Sequence, residues 1–190
     1  MKGLIMSADQ LIISVQNGCE SAFRMLVDQY GQKAVAIALR MTGNRALADD
    51  IAQQVFMKIW QYPDRYDPEK AKFSTWFYRV VTNQTLDEIK KKKPLQLPDD
   101  FDQIEQKPSA EEGLMTKDQQ VLIKQTLESM PDRQKTVMTL TYFEDLSNAE
   151  VAQVMEISVK AVESLLVRSR KLLREKLSSR MEQRPVKERA

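Results

Sequence analysis

The stretch LSNAEVAQVMEISVKAVESLLVRSRKLL, residues Leu146–Leu173, contains two short amphipathic helical patterns with barely a turn between them. Ser147 and Glu150 have the S-x-x-E spacing of a capping box, which predicts that the first helix starts at Asn148. Ser158 can cap the second helix. Two short helices joined by a tight turn are the pattern of a helix-turn-helix, whose second helix enters the major groove of DNA.

The second of these helices has an apolar side and a basic side. At about 100° per residue, the apolar side predicts a buried seam formed by Val159, Val162, Leu165, Leu166, Ser169 and Leu173. The opposite side holds Lys160, Glu163, Ser164, Val167, Lys171 and Arg174, with Arg168 at its edge. Between Ser158 and Lys176 there are six basic residues and two acidic ones, a balance that suits DNA phosphates.

Val167 lies among these polar residues, where an apolar side chain gains nothing from contact with water. In a major groove it can contact a thymine methyl group, while Lys160, Ser164 and Arg168 reach base edges or phosphates. The alternative is a solvated basic helix with one exposed valine. The pattern favours DNA reading and leaves both interpretations open.

Composition sets the fold class and excludes several kinds of site. Of the 190 residues 42% are hydrophobic, enough for a packed core, and most windows repeat at the helical period, which predicts an all-α fold. Charged residues make up 29% and nearly cancel, leaving a net charge of +2. Because the sequence has no histidine and one cysteine, Cys19, it has no zinc-finger ligand set and no His-based nucleophilic triad. Nothing in the sequence calls for enzyme activity, although its composition does not exclude it.

The chain divides into two small helical domains joined by a flexible acidic linker. The first domain covers residues 7–93 and contains five predicted helices, at 7–16, 20–30, 32–42, 46–62 and 74–92. The linker, residues 94–118, has three prolines and seven acidic residues against two lysines, and is either a plain tether or a screen for a basic face. The second domain covers residues 119–178, followed by a tail at 179–190. The N-terminal residues hold no apolar run long enough for a signal peptide or a membrane span, so we expect a cytoplasmic protein.

The segment ALADDIAQQVFMKIW, Ala46–Trp60, predicts a helix with an unusual outward side. Its buried side consists of Ala48, Ile51, Ala52, Val55 and Ile59, and its outward side of Asp49, Asp50, Gln53, Met57 and Trp60. A methionine and a tryptophan among acids and amides are typical of a protein-binding surface. The alternative is that neighbouring helices cover them.

The segment FSTWFYRVVTNQTLDEIKKKK, Phe73–Lys93, combines aromatic and basic residues. The predicted core side consists of Phe73, Trp76, Phe77, Val80 and Val81, and the outward side of Arg79, Thr82, Asn83, Leu86 and Lys90. Basic residues beside amides and aromatics suit single-stranded nucleic acid. The alternative is an amphipathic helix whose lysine-rich C-terminus complements the helix dipole.

Taken in order, these segments resemble the extracytoplasmic-function group (group IV) of the bacterial sigma-70 family of RNA polymerase sigma factors. The segments CESAFRMLVDQY, ADDIAQQVFMKIW and FSTWFYRVVTNQTLDEIKKK resemble sigma region 2. The segment LESMPDRQKTVMTLTYFEDLSNAEVAQVMEISVKAVESLLVRSRKLL resembles sigma region 4. The resemblance implies a protein that binds core RNA polymerase and directs promoter-specific initiation, without a catalytic residue, cofactor or metal of its own.

The resemblance also implies partners and residue roles. Contact with the clamp coiled coil of the largest polymerase subunit falls on Asp50, Gln53, Gln54 and Met57. Recognition and opening of the minus-10 element falls on Arg79, Asn83, Asp87 and Lys90, with the loop Tyr66–Lys72 beside them. Reading of the minus-35 element falls on Lys160, Glu163, Ser164, Val167 and Arg168, with Arg170 and Lys171 near phosphates. The further implied partners are the polymerase flap, promoter DNA and an anti-sigma factor.

Four positions depart from the pattern of the family. The family usually has an acid at Gln54 and a glycine at Glu156, often an arginine at Leu165, and commonly a basic residue at Glu163. Gln54 implies a weaker or altered polymerase contact, and Glu156 implies a different turn geometry. Leu165 and Glu163 imply a minus-35 sequence that differs from that of better-known members. Two other functions remain open from sequence: a helix-turn-helix regulator that binds an operator alone, and a helical adaptor that makes only protein contacts.

Overall fold

The computed structural model describes residues 6–92 and 129–182, and all regular structure in these ranges is helical. The described residues form seven α-helices and one 3-10 turn, Pro63–Arg65. The helices are α1 (Ala8–Gln16), α2 (Glu20–Thr42), α3 (Arg45–Gln61), α4 (Phe73–Lys92), α5 (Asp132–Tyr142), α6 (Asn148–Met155) and α7 (Val159–Glu182). The predicted all-α class is confirmed. The linker, residues 94–118, and the first ten residues of the second domain lie outside the described residues.

The start of α1 follows directly from its local sequence. Ser7 Oγ accepts from the Gln10 amide at 3.3 Å, and the Ser7 amide donates to Gln10 Oε1 at 2.9 Å. This reciprocal capping box satisfies amides that have no partner inside the helix. Gly18 then adopts a φ of 80°, which turns the chain into α2.

The predicted break at Gly31 is wrong: residues 20–30 and 32–42 form one continuous helix, α2. A glycine inside a helix costs about 1 kcal/mol relative to alanine, which burial on both sides of Gly31 outweighs. Tyr30 packs edge-on against two α4 rings, with ring centroids 5.2 Å from Phe73 and 4.9 Å from Phe77. Ile37, one of the apolar residues that follow, is fully buried.

Aromatic side chains hold α2, α3 and α4 together. Phe77 lies at their centre and is 0% exposed. Its ring centroid is 6.0 Å from that of Phe56 on α3 and 5.9 Å from that of Phe73 on α4. Phe23 of α2 packs against Phe56 at 6.3 Å and Trp60 at 5.0 Å. The outward surfaces of α3 and α4 therefore share one rigid core.

Helices α5, α6 and α7 form the second unit and contain the predicted helix-turn-helix. Ser147 and Glu150 make a capping box at the start of α6, and Ser158 Oγ accepts from the Ala161 amide at 3.1 Å. The predicted helix starts are confirmed. Buried apolar residues from all three helices form the core, among them Val137, Leu140, Val151, Val154, Val162 and Leu166.

Three residues are buried or exposed differently from the prediction. Val159, expected in the seam of α7, is 43% exposed, because it is the first residue of that helix and lies at the turn. Thr82, expected to face outward, is 1% exposed, and Leu86 packs partly against the core. Both lie on α4, which contacts α2 and α3 on one side and α6 on another. Its buried sector is therefore wider than a simple amphipathic pattern predicts.

Candidate polymerase- and nucleic-acid-binding surfaces

The outward side of α3 carries exposed apolar residues. We define the α3 face as Asp50, Gln53, Met57 and Trp60, whose spacing places them along one side of the helix. Met57 is 57% exposed and Trp60 is 40% exposed, although one side of the tryptophan ring packs against Phe23. Neighbouring helices therefore leave these two side chains open to solvent in part.

Gln54 differs from the α3 face because α4 holds it. Its side-chain oxygen accepts a hydrogen bond from Gln84 Nε2. Gln84 also accepts from Lys58 Nζ and donates to Glu88 Oε1 at 3.3 Å. The predicted polymerase contact at Gln54 is thus half-buried, whereas Gln53 is exposed.

The loop between α3 and α4 is fixed by residues of α1. Asp9 Oδ1 accepts from the Tyr66 hydroxyl at 2.5 Å and from the Phe73 amide at 2.8 Å. Gln16 Nε2 donates to the carbonyl oxygens of Pro63, at 3.1 Å, and Tyr66, at 2.9 Å. Sequence reasoning missed Asp9 and Gln16, since no local pattern links them to a loop about fifty residues away.

The Asp9–Tyr66 contact shifts the pKa of both groups. Burial raises the pKa of the Tyr66 hydroxyl, and its hydrogen bond to the Asp9 carboxylate raises it further. Burial alone would raise the pKa of Asp9, but the hydrogen bonds from Tyr66 and the Phe73 amide outweigh it and hold that pKa below its usual value. Asp9 is therefore a carboxylate at neutral pH and caps the start of α4.

The four predicted minus-10 residues lie on one side of α4, and one of them is already bound by other residues of the protein. We define the α4 face as Arg79, Asn83, Asp87 and Lys90. Asn83, Asp87 and Lys90 are exposed. Arg79 Nη2 donates to the carbonyl oxygen of Gln153 at 2.7 Å, and its Nη1 lies 3.0 Å from Glu156 Oε1. Arg79 thus joins α4 to the end of α6.

Buried charges surround this contact between the two units. Arg40 of α2 pairs with Glu144 at 3.1 Å, and the Tyr78 hydroxyl donates to the other oxygen of Glu144 at 3.2 Å. Burial, with the nearby Glu144 charge, raises the pKa of Tyr78. Lys135 is 6% exposed and donates from Nζ to the Met41 carbonyl oxygen at 3.1 Å.

The predicted minus-35 residues lie along α7. We define the α7 face as Lys160, Glu163, Ser164, Val167, Arg168, Arg170 and Lys171. Lys160, Glu163 and Lys171 are exposed, while Ser164, Val167 and Arg168 are half-buried. The structure brings these seven side chains onto a single helix that follows directly from the turn.

One side chain of the α7 face is held by an aromatic residue. Arg170 Nε donates to the Tyr142 hydroxyl at 2.6 Å, and its guanidinium lies 5.7 Å from the centre of the same ring. Tyr142 is 46% exposed at the end of α5. Sequence reasoning missed Tyr142, which restricts the rotamers of Arg170 before any ligand arrives.

Residues 6–92 and 129–182 contain no cluster of three or more His, Cys, Asp or Glu side chains that could hold a metal ion. None of the helices in that part of the chain is long and apolar enough to cross a membrane.

Comparison with known sequence families matches both units. The family Sigma-70 region 2 matches residues 26–94, and the family Sigma-70, region 4 matches residues 120–173. The first match contains the α3 and α4 faces, and the second contains the α7 face.

Proteins similar to this chain in sequence include RNA polymerase sigma factors. The chain is 34% identical over 183 residues to the ECF RNA polymerase sigma factor SigW of Bacillus subtilis, covering 87% of this chain and 94% of that protein. It is 27% identical over 177 residues to the RNA polymerase sigma-H factor of Pseudomonas aeruginosa, covering 86% and 90%.

Two solved structures are similar to the whole arrangement. CnrH, solved in complex with the cytosolic domain of CnrY, has a TM-score of 0.66 and 25% identity, covering 91% of this chain and 99% of CnrH. The sigma factor RpoE of Bartonella quintana, solved with the anti-sigma factor NepR, has a TM-score of 0.60 at 17% identity, covering 82% and 96%, and supports the fold alone. The chain belongs to the extracytoplasmic-function family of RNA polymerase sigma factors.

Proposed function

We propose that this protein binds core RNA polymerase through the α3 face and directs it to promoters through the α4 and α7 faces. The observation that carries the proposal is that the three candidate faces lie on three separate helices whose backbones are fixed by packed cores. The protein itself makes and breaks no covalent bond in this proposal, since the polymerase supplies the chemistry. Its site of action is the cytoplasm, where the polymerase works.

Polymerase binding rests on the exposed apolar residues of the α3 face. Complete burial of a methionine side chain contributes about 1.5–3 kcal/mol relative to exposure, and Met57 is the more exposed of the two apolar residues on this face. Asp50 and Gln53 supply polar contacts at its edge. We expect the clamp coiled coil of the largest subunit to cover this face, and α7 and its unit to approach the flap.

Duplex recognition falls on the α7 face. Lys160, Glu163, Ser164, Val167 and Arg168 would lie in the major groove of the minus-35 element, where a good bidentate base contact discriminates by about 1–3 kcal/mol. Arg170 and Lys171 would bind phosphates, and Tyr142 restrains Arg170. Phosphate contacts position the protein on the duplex but do not distinguish one base sequence from another. Binding should therefore weaken as salt concentration rises.

Single-strand recognition falls on the α4 face and on the loop Tyr66–Lys72. We expect them to hold unpaired bases of the nontemplate strand at the minus-10 element. Asp9 and Gln16 support this proposal because they fix the loop backbone and the first amide of α4. A loop held in one conformation binds with less loss of conformational entropy than a mobile one.

We also propose an anti-sigma factor as the regulator. The family resemblance implies one, and the structurally similar CnrH is solved with the cytosolic domain of CnrY.

Run-off transcription with purified core polymerase on genomic fragments tests the proposed function. Core polymerase plus this protein should give discrete transcripts that core alone does not give. Replacement of Arg168 by Ala should relax specificity at one minus-35 position. If the added protein produces no start site beyond those of core alone, the proposal is wrong.

A further inference from the structure

The turn of the helix-turn-helix contains a residue in an unfavourable backbone conformation. Glu156 ends α6 with φ 55° and ψ 44°, in the left-handed region. Glycine occupies this region without steric cost, whereas a side chain with a Cβ does so rarely. Strain of this kind is retained where surrounding structure or function requires the side chain.

The Glu156 side chain contacts the α4 face. Its carboxylate lies 3.0 Å from Arg79 Nη1, while Arg79 Nη2 donates to the Gln153 carbonyl oxygen at 2.7 Å. Both terminal nitrogens of Arg79 are therefore occupied by the second unit. Among the described residues, the buried Arg79 Nε has no hydrogen-bond partner, so the contact leaves one donor of the guanidinium unsatisfied.

The contact between the two units around Arg79 has the features of a specific interface. Glu144 is only 8% exposed at its side chain and binds Arg40 and the Tyr78 hydroxyl of the first unit. Lys135 reaches the Met41 carbonyl oxygen from the other unit. Buried charges that bind partners across the contact hold the two units in a defined orientation.

We propose that Glu156 is a latch that holds Arg79 away from single-stranded nucleic acid while the protein is free. The carboxylate occupies the guanidinium position that a phosphate or base edge would use, so nucleic acid and Glu156 compete for Arg79. Opening the latch separates α6 from α4 and frees Arg79 to act with Asn83, Asp87 and Lys90, which are already exposed. The role of Arg79 in nucleic-acid binding rests on the proposed function; the closed contact rests on the geometry alone.

The latch is tested in the full chain with Glu156→Lys, which places a second cation beside Arg79 and keeps a side chain at the strained position. The matched control is Glu20→Lys, which makes the same charge change at an exposed site paired with Arg24 on the far end of α2. Circular dichroism melts of both variants check that each still folds cooperatively.

The first readout is binding to a fluorescent single-stranded DNA oligonucleotide of mixed sequence. Because exposed ion pairs are weak, we expect Glu156→Lys to bind about three- to tenfold more tightly than Glu20→Lys. In an Arg79→Gln background the two substitutions should give equal affinity. Equal affinity in the presence of Arg79 overturns the proposed competition.

The second readout is the radius of gyration in solution, which requires no nucleic acid. Glu156→Lys should expand the protein relative to Glu20→Lys and the unsubstituted chain. An unchanged radius overturns the latch whatever the DNA result. Failure of the proposed function would appear differently, as absence of specific run-off transcripts from a protein whose radius still responds to Glu156→Lys.

Discussion

The α3 face and the α4 face belong to one helical unit and share one aromatic core, yet they differ in what covers them. Met57 and Trp60 on the α3 face are open to solvent. Arg79 on the α4 face is bound by Gln153 and Glu156 of the second unit. With the roles proposed above, this difference predicts an order of events: the free protein binds polymerase through an open α3 face before Arg79 becomes available to unpaired DNA.

The largest expected effect is loss of the shared core. Replacing Phe77 by Ala removes a fully buried ring between α2, α3 and α4, which should lower the free energy of unfolding by about 3–5 kcal/mol. Chemical denaturation measures it. Ile13→Ala, at a residue 41% exposed on α1, is the control and should change little. A Phe77→Ala protein as stable as the control would show that the two faces do not share a core.

The next effect concerns the α3 face alone. Met57→Ala combined with Gln53→Ala should weaken binding to core polymerase about fivefold or more, because truncating a residue at the energetic centre of an interface costs over about 1 kcal/mol. Titration with labelled core measures it. Met25→Ala, a substitution of another exposed methionine on α2, should leave affinity unchanged. Unaltered affinity in the double variant would remove the α3 face from the account.

A smaller effect is expected on stability at the loop before α4, which Asp9 fixes and which the α3 face does not include. Asp9→Asn keeps the shape of the side chain and removes its charge, which should lower the free energy of unfolding by about 1 kcal/mol at neutral pH. Because folding lowers the pKa of Asp9, its charge stabilises the native state above the unfolded pKa and stops doing so as pH falls through the folded value. The difference between the proteins should shrink below about pH 4. A difference that stays constant from neutral to acid pH would show that the carboxylate charge plays no part.

The smallest effect tests the continuity of α2 beneath both faces. Gly31→Ala should raise the free energy of unfolding by about 0.5–1 kcal/mol, since alanine favours helix. A Cβ at Gly31 would meet Val27 Cγ1 at 3.9 Å, an ordinary contact. Thermal denaturation measures the change, and both faces should keep their binding properties. A destabilised variant would mean that α2 is not regular at this position.

The helix starts could be predicted from local sequence signals. The features that could not be predicted depend on contacts between residues far apart in the chain. Ser7, Ser147 and Ser158 cap helices through atoms within three residues, so their roles can be read from the sequence. The bond from Tyr66 to Asp9 joins residues 57 positions apart, and that from Arg79 to Gln153 joins residues 74 apart. The predicted helix break at Gly31 is wrong for the same reason. The packing of the neighbouring Tyr30 on the distant Phe73 ring outweighs the low helix propensity of glycine.

The site residues show the same division. The helical period correctly separated the exposed residues of the α3 face from their buried neighbours. Contacts with a second helix explain three features that the helical period does not predict. These are the partial cover of Arg79, the restraint of Arg170 by Tyr142 and the burial of Thr82. A periodic pattern states which side of a helix is polar, and it does not state what that polar side touches.

The most direct test is the affinity of the protein for nontemplate single-stranded DNA, measured alone and again when bound to core polymerase. We predict weak binding by the free protein, in which Glu156 holds Arg79, and clearly tighter binding in the polymerase complex. We also predict that Arg79→Gln abolishes this gain in affinity. Equal affinity in the two states would contradict the first prediction, because the α4 face would then be as available as the α3 face from the start.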